Sequence, residues 1–114
     1  MSETIFDKII SGEIQSDIVY EDSEVLAFRD ISPQAPTHIL IIPRNNIPTI
    51  NDLEQKDSEL IGKLVLIAKK IAKQEKISKS GYRLVFNCNE HAGQTVFHIH
   101  LHLIGGRKLE WPPG

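Results

Sequence analysis

Two hydrophobic spacings divide the chain. Helical spacing appears first at Thr4–Ser11, where Ile5, Phe6, Ile9 and Ile10 form one stripe, Ser2 or Thr4 can cap the start and Gly12 can stop it. It returns over Asp57–Gln74, where Leu60, Ile61, Leu64, Val65, Ile67, Ala68, Ile71 and Ala72 line one broad side. Asp57 or Ser58 can cap this longer helix, and Glu59, Lys63, Lys69, Lys70 and Lys73 fall largely on its solvated face. Strand patterns fill the remainder. Ile18–Glu21 and Val25–Asp30 flank the polar Glu21-Asp22-Ser23-Glu24 and predict a hairpin ending before Ser32-Pro33. His38–Ile42 is a continuous apolar run between Pro36 and Pro43, which predicts burial on both faces. Gly81–Asn87 and Val96–Ile104 are strand-like, with a polar loop at Asn89–Gln94 and a stop at Gly105-Gly106. Asn46–Asn51 reads as connection, and the tail from Trp111 to Gly114 is not helical. These elements predict an α+β fold, an antiparallel five-stranded sheet with one short and one long helix, because the strands follow one another without regular helical crossovers.

Composition narrows the class. The chain has 114 residues, 40% hydrophobic and 25% charged, which fits one domain over 1–114 with one core. A formal charge of −2 without clustered basic residues argues against a nucleic-acid partner. It leaves room for a mononucleotide, which needs one anion site. Cys88 is the sole cysteine, so neither an internal disulfide nor a zinc ribbon is available. Met1-Ser2-Glu3-Thr4 lacks the features of a signal peptide, and no apolar run is long enough to span a bilayer. The expected location is the cytoplasm, with no membrane partner.

The chemistry concentrates in one segment. His98, His100 and His102 alternate strictly, and on a strand alternate side chains share a face while Ile99, Leu101 and Leu103 take the other. Neighbouring imidazoles would then lie about two residue rises apart, roughly 6–7 Å. That is wide for ring-to-ring hydrogen bonds and suited to several imidazoles around one phosphate. Three readings are open: a solvated polar face, a metal site that includes His38, and covalent catalysis at phosphorus. In the third, a neutral imidazole attacks phosphorus and a second protonates the leaving group.

The segment His98-Ile99-His100-Leu101-His102-Leu103-Ile104 resembles the signature of the histidine triad nucleotide-binding family, His-φ-His-φ-His-φ-φ with φ apolar. The similarity continues through Thr4-Ile5-Phe6, Lys8-Ile9-Ile10, the stretch from Ala27 to His38, Gly81-Tyr82-Arg83, Gly93-Gln94, Gly105-Gly106-Arg107 and Trp111-Pro112-Pro113-Gly114, and is closest to the phosphoramidase branch. The resemblance implies a HIT-like fold that dimerises with its sheet extended across a two-fold, through the long helix and Gly81–Asn87, and a tail around Trp111 that reaches toward the partner's site. It implies hydrolysis of purine nucleoside phosphoramidates, AMP or GMP linked to an amine, with no cofactor and no metal. His100 would be the nucleophile, His102 would contact the phosphate and assist the leaving group, and His98 and His38 would complete the cluster. Asp30 would bind the ribose with Ile31 beside it. Asn87, Gly93, Gln94 and Thr95 would hold the phosphate, and Ile5, Phe6, Ile9, Ile14, Phe28 and Leu40 would form the base slot.

Each of these positions also has a plainer reading: Ile5, Phe6 and Ile9 as core, Asp30 as a turn-former, Gly93 as a turn glycine and His38 as a bonded core histidine. His91 is assigned nothing. Many relatives carry histidine where Asn46 stands, serine where Thr95 stands and glycine where Ala92 stands. Thr95 keeps the hydroxyl, whereas Asn46 cannot shuttle a proton. A nucleotide-binding regulatory module with little turnover, and a dinucleoside polyphosphate hydrolase, are the alternative functions.

Overall fold

A computed structural model describes residues 3–114. Helix α1 spans Ile5–Ser11. Thr4 caps it through a reciprocal box: Asp7 N–H donates to Thr4 Oγ1 at 3.3 Å, and Thr4 N–H donates to Asp7 Oδ2 at 2.9 Å. Ser2, the other cap considered, lies outside the described residues. Gly12, at φ 85°, closes the helix by donating to the Ile9 carbonyl.

Five strands follow: β1 Ile18–Glu21, β2 Val25–Arg29, β3 Thr37–Pro43, β4 Tyr82–Val85 and β5 Leu101–Gly105. They form one antiparallel sheet in the order β1-β2-β3-β5-β4. Helix α2, Ser58–Gln74, lies between β3 and β4 in the chain. The α+β reading with five antiparallel strands and two helices therefore holds. No described helix is long and apolar enough to cross a membrane.

β3 explains the layering. All seven of its residues are buried, as its unbroken apolar run predicts. Ile39 and Ile41 join Val25, Ala27, Leu101 and Leu103 beneath Leu64, Ile67, Ala68, Ile71 and Ala72 of α2. On the opposite face Leu40 and Ile42 join Leu26, Phe28 and Phe6, with Ile9, Ile10 and Val96 against them. The second face is thus roofed by α1 and the segment before β5, and the two roofs leave an opening between them. Arg29 makes a bidentate pair with Glu75, both bonds 2.9 Å, which ties the end of β2 to the end of α2 just before Asp30.

Several boundaries differ from the sequence pattern, each for a local reason. The strand drawn over Val96–Ile104 begins only at Leu101, because Ile99 N–H donates to the Ile47 carbonyl at 2.7 Å instead of entering the ladder. β2 ends at Arg29, since Asp30 turns away to accept Ser32 N–H at 2.8 Å. β4 is shorter than Gly81–Asn87. Asp57 stands at the N-cap of α2 but makes no side-chain capping bond: it accepts Glu54 N–H at 2.8 Å and Ser58 Oγ donates to the Gln55 carbonyl, so both side chains serve the preceding 3₁₀ turn. Val65, placed on the apolar side, is 40% exposed, and its neighbour Leu66 is 65% exposed. Gly106, at φ 92°, stops β5 where a Cβ would come within 2.9 Å of Pro36 Cβ.

The α2 layer is under full packing load. Ile71→Ala is expected to destabilise the fold by about 2–5 kcal/mol, read as a lowered urea midpoint with unchanged m. The same truncation at exposed Leu66 should cost the isolated chain less than about 1 kcal/mol.

Candidate active site

His38 and His102 stand on paired strands, where His38 faces Ile104 and Leu40 faces His102 across the ladder. They are therefore diagonal neighbours on the face opposite α2. Their rings meet, with His38 Nε2 2.9 Å from His102 Nδ1. His100 and His98 precede β5 and are placed by backbone carbonyls. His98 Nε2 lies 2.7 Å from the Pro43 carbonyl oxygen, and His100 Nδ1 lies 2.7 Å from the carbonyl oxygen of His98. The His100 and His102 rings are 5.0 Å apart at 57°. This is closer than a regular strand permits, because only His102 of the three lies within β5.

The partners decide the tautomers. A carbonyl oxygen accepts, so His98 Nε2 and His100 Nδ1 both carry hydrogen. In neutral His100 the lone pair is then on Nε2. Gln34 N–H donates to His38 Nδ1 at 3.1 Å, so His38 carries its hydrogen on Nε2 and donates to His102 Nδ1. His102 consequently carries its hydrogen on Nε2, a buried atom with no hydrogen-bond partner. Two adjacent rings thus present opposite equipment, a lone pair on His100 and an N–H on His102.

Electrostatics keep these rings neutral. Burial lowers the proton affinity of His98, His100 and His38 below the ordinary histidine range. For His102 burial, and next the neighbouring His100 and His38 rings, push it down to about 4. Asp30 acts in the opposite direction on His38, His100 and His102, its Oδ2 lying 3.5 Å from His38 Nε2.

His100 and His102 open onto a cleft of about 290 Å³, near the lower end of the roughly 300–1,000 Å³ typical of small-molecule sites. Its walls bring together Ile5, Phe6 and Ile9 of α1, Ile14 beyond it, Phe28 of β2, Asp30 and Ile31, Leu40 of β3, and Thr95. Ile31 is 91% exposed and forms a rim. His98 and His38 stand behind these two rings. Asn87 is placed elsewhere, in a separate groove with Arg83 and Arg107. Gly93, at φ 84°, closes a 3₁₀ turn over Glu90–Ala92. The buried Gln94 side chain accepts Asn89 N–H at 2.8 Å and donates to the Pro48 and Val96 carbonyls at 2.8 and 3.1 Å, so it braces the loop from within. Asn46 is exposed.

Residues that the sequence pattern did not single out complete the site. Gln15, Ser16 and Val96 line the cleft. Gln34 sets the His38 tautomer, and its place four residues before His38 in the Ser32-Pro33 turn was a usable signal. The Pro43 carbonyl had no such signal, since it meets His98 from 55 residues away. Asp30, His38 and His102 each offer an atom within 4.8 Å of the others, close enough for a metal ion. The 2.9 Å between the two imidazole nitrogens is a hydrogen-bond distance, so those atoms are engaged with each other.

A sheet roofed on both faces, with histidines from β3 and β5 meeting at one end, defines a protein class. The HIT domain model matches residues 11–109, and the chain belongs to that family. Over 107 residues the chain is 61% identical to the purine nucleoside phosphoramidase of Escherichia coli (strain K12), covering 94% of this chain and 90% of that protein. It is 54% identical to a 14 kDa zinc-binding protein of Zea mays, covering 99% of this chain and 89% of that protein. The crystal structure of a HIT family hydrolase from Legionella pneumophila Philadelphia 1 superposes with a TM-score of 0.96 at 57% identity, over 98% of this chain and 100% of that one.

The buried neutral imidazoles make stability depend on pH. His102 has a folded value near 4 against an ordinary 6.5, so between these values the unfolded chain binds more protons. Stability should be complete above about pH 6.5 and fall as pH drops toward 4. Urea midpoints across pH 4–8 check this, and His102→Asn should flatten the slope.

Proposed function

We propose that the protein hydrolyses purine nucleoside phosphoramidates, AMP or GMP joined to an amine, through a nucleotidyl intermediate on His100. The observation that carries this is the His100 Nδ1 to His98 carbonyl bond of 2.7 Å, which leaves Nε2 as a free lone pair at the cleft. The same bond supports the positive charge that His100 acquires on attacking phosphorus. As the Nε2–P bond forms and the P–N bond breaks, the amine leaves with a proton taken from solvent, while His102 Nε2–H donates a hydrogen bond to the departing group and stays neutral. The His38 Nε2–H bond to His102 Nδ1 holds that donor in the required tautomer. Water then attacks phosphorus and loses its proton to solvent, the His100 Nε2–P bond breaks, and the nucleoside monophosphate leaves with His100 restored as the neutral imidazole.

The rest of the cleft fits the same substrate. Ile5, Phe6, Ile9, Phe28 and Leu40 offer an apolar slot for a purine, and Asp30 stands where ribose hydroxyls can donate to it. The Thr95 hydroxyl and the backbone of Gly93-Gln94 are assigned to the phosphate. The sequence of the E. coli phosphoramidase supports this substrate class. This reading calls on no cofactor, since the nucleophile and the hydrogen-bond donor to the leaving group are both side chains.

Hydrolysis of an adenosine phosphoramidate by wild type and His100→Ala, both in EDTA, tests the reading. Wild type should turn over at an undiminished rate and the variant should lose on the order of 10³-fold or more. A second reading rests on Asp30, His38 and His102 and on the similarity to the zinc-binding protein of Zea mays. Loss of wild-type turnover in EDTA, restored by zinc, would establish it instead. Tight AMP binding without turnover would make the chain a nucleotide-binding module, and preference for a dinucleoside polyphosphate in competition would change the substrate class.

We also propose a homodimer in which edge strand β4 continues the sheet across a two-fold and exposed Val65 and Leu66 of α2 are covered. Sedimentation equilibrium should give twice the chain mass, and Leu66→Glu should shift it toward the monomer. A monomeric, fully active wild type would refute the dimer.

A further inference from the structure

Asp7 lies on α1 outside the cleft lining, and its carboxylate faces two ways. Oδ2 accepts Thr4 N–H at 2.9 Å and Thr4 Oγ1–H at 3.2 Å, which fixes the group at the start of the helix. Oδ1 lies 3.8 Å from Nδ1 of His98. The His98 side chain is wholly buried, its Nε2 is taken by the Pro43 carbonyl, and its Nδ1 has no hydrogen-bond partner. A helix cap of this size needs an acceptor for Thr4 and nothing more. Here the second oxygen is aimed at the free nitrogen of a buried imidazole.

The surroundings make that contact consequential. The ring of Phe6, one residue before Asp7, stands edge-on to both His98 and His100, with centroids 5.9 and 5.0 Å away. The carbonyl of His98 is the group that orients His100. Asp7 from α1, the Pro43 carbonyl from β3 and His100 on its own segment are the charged or titratable and polar groups that face His98. Of these Asp7 alone, among the described residues, brings negative charge to the ring. A fixed negative charge in a poorly solvated place favours positive charge nearby.

We propose that Asp7 is a positioning residue for His100: held by Thr4, its carboxylate faces the free nitrogen of buried His98 and places negative charge behind the pair, favouring the cation that His100 becomes on attacking phosphorus. This rests on His100 being the nucleophile. It goes beyond the helix cap in assigning Asp7 a part in turnover. Asp7 also pulls the proton affinity of His98 upward, against the burial that lowers it.

Asp7→Asn separates charge from structure. The amide keeps an oxygen for Thr4 and turns an N–H toward His98 Nδ1, so the cap and the ring position survive while the charge is lost. With an adenosine phosphoramidate, kcat should fall about 3–10-fold, the effect of one partly shielded charge, with KM unchanged. The acid limb of the kcat/KM profile should move to lower pH, and the ring nitrogen resonances of His98 should report uptake of a proton at Nδ1 at a lower pH than in the wild type. Asp7→Ala should lose thermal stability as well. Wild-type kcat and pH profile in Asp7→Asn, with loss confined to the stability of Asp7→Ala, would reduce Asp7 to a cap and overturn the proposal. An unmoved His98 resonance would do the same. Undiminished turnover in His100→Ala would instead remove the nucleophile, while the His98 resonances still reported whether Asp7 reaches that ring.

Discussion

Seven consecutive residues of β3 are buried, and a strand buried on both faces requires a layer on each side. α2 covers one face with a continuous aliphatic surface. α1 and the segment before β5 cover the other, and they leave a gap over Phe28 and Leu40. The cleft is the part of the second face that the chain's own apolar residues do not fill. The open part of this face is lined by apolar side chains and bordered by His100 and His102.

The histidines are ordered by hydrogen bonds that run from backbone inward. Gln34 N–H, the Pro43 carbonyl and the His98 carbonyl each consume one ring nitrogen, and the fourth constraint is the bond between His38 and His102. With one nitrogen of each ring assigned, the other has no freedom of tautomer. Burial holds all four below their usual protonation range, so the free nitrogens carry the lone pair and the N–H that acyl- or phosphoryl-transfer chemistry uses. Burial, and after it repulsion from the neighbouring His100 and His38 rings, keeps His102 singly protonated.

This arrangement separates two kinds of residue that family membership alone does not. His100, His102 and Thr95 line the cleft, whereas His38 sits behind it against His102 and His98 sits behind it with its carbonyl on His100. Gln94, grouped with the phosphate contacts by resemblance, turns its side chain inward to brace its loop and is not among the cleft residues. Asn87 faces a groove shared with Arg83 and Arg107 and is not among the cleft residues.

Much of this was legible in the chain itself. Helical and strand periods located α1, α2 and all five strands: the helices pack an apolar stripe, β2 and β3 bury both faces, and the outer strands β1 and β4 are partly covered. The spacing of His98, His100 and His102 marked the chemical segment, and the longer resemblance pointed to the family. Local pattern could not place the start of β5, since Ile99 is drawn out of the ladder by Ile47, more than fifty residues away. It could not tell which nitrogen of each imidazole is free, since the deciding carbonyl of Pro43 and the facing ring of His38 arrive from β3. Sequence period determines which side of an element is apolar. Which polar atoms meet across that side is decided only when strands distant in the chain come into register.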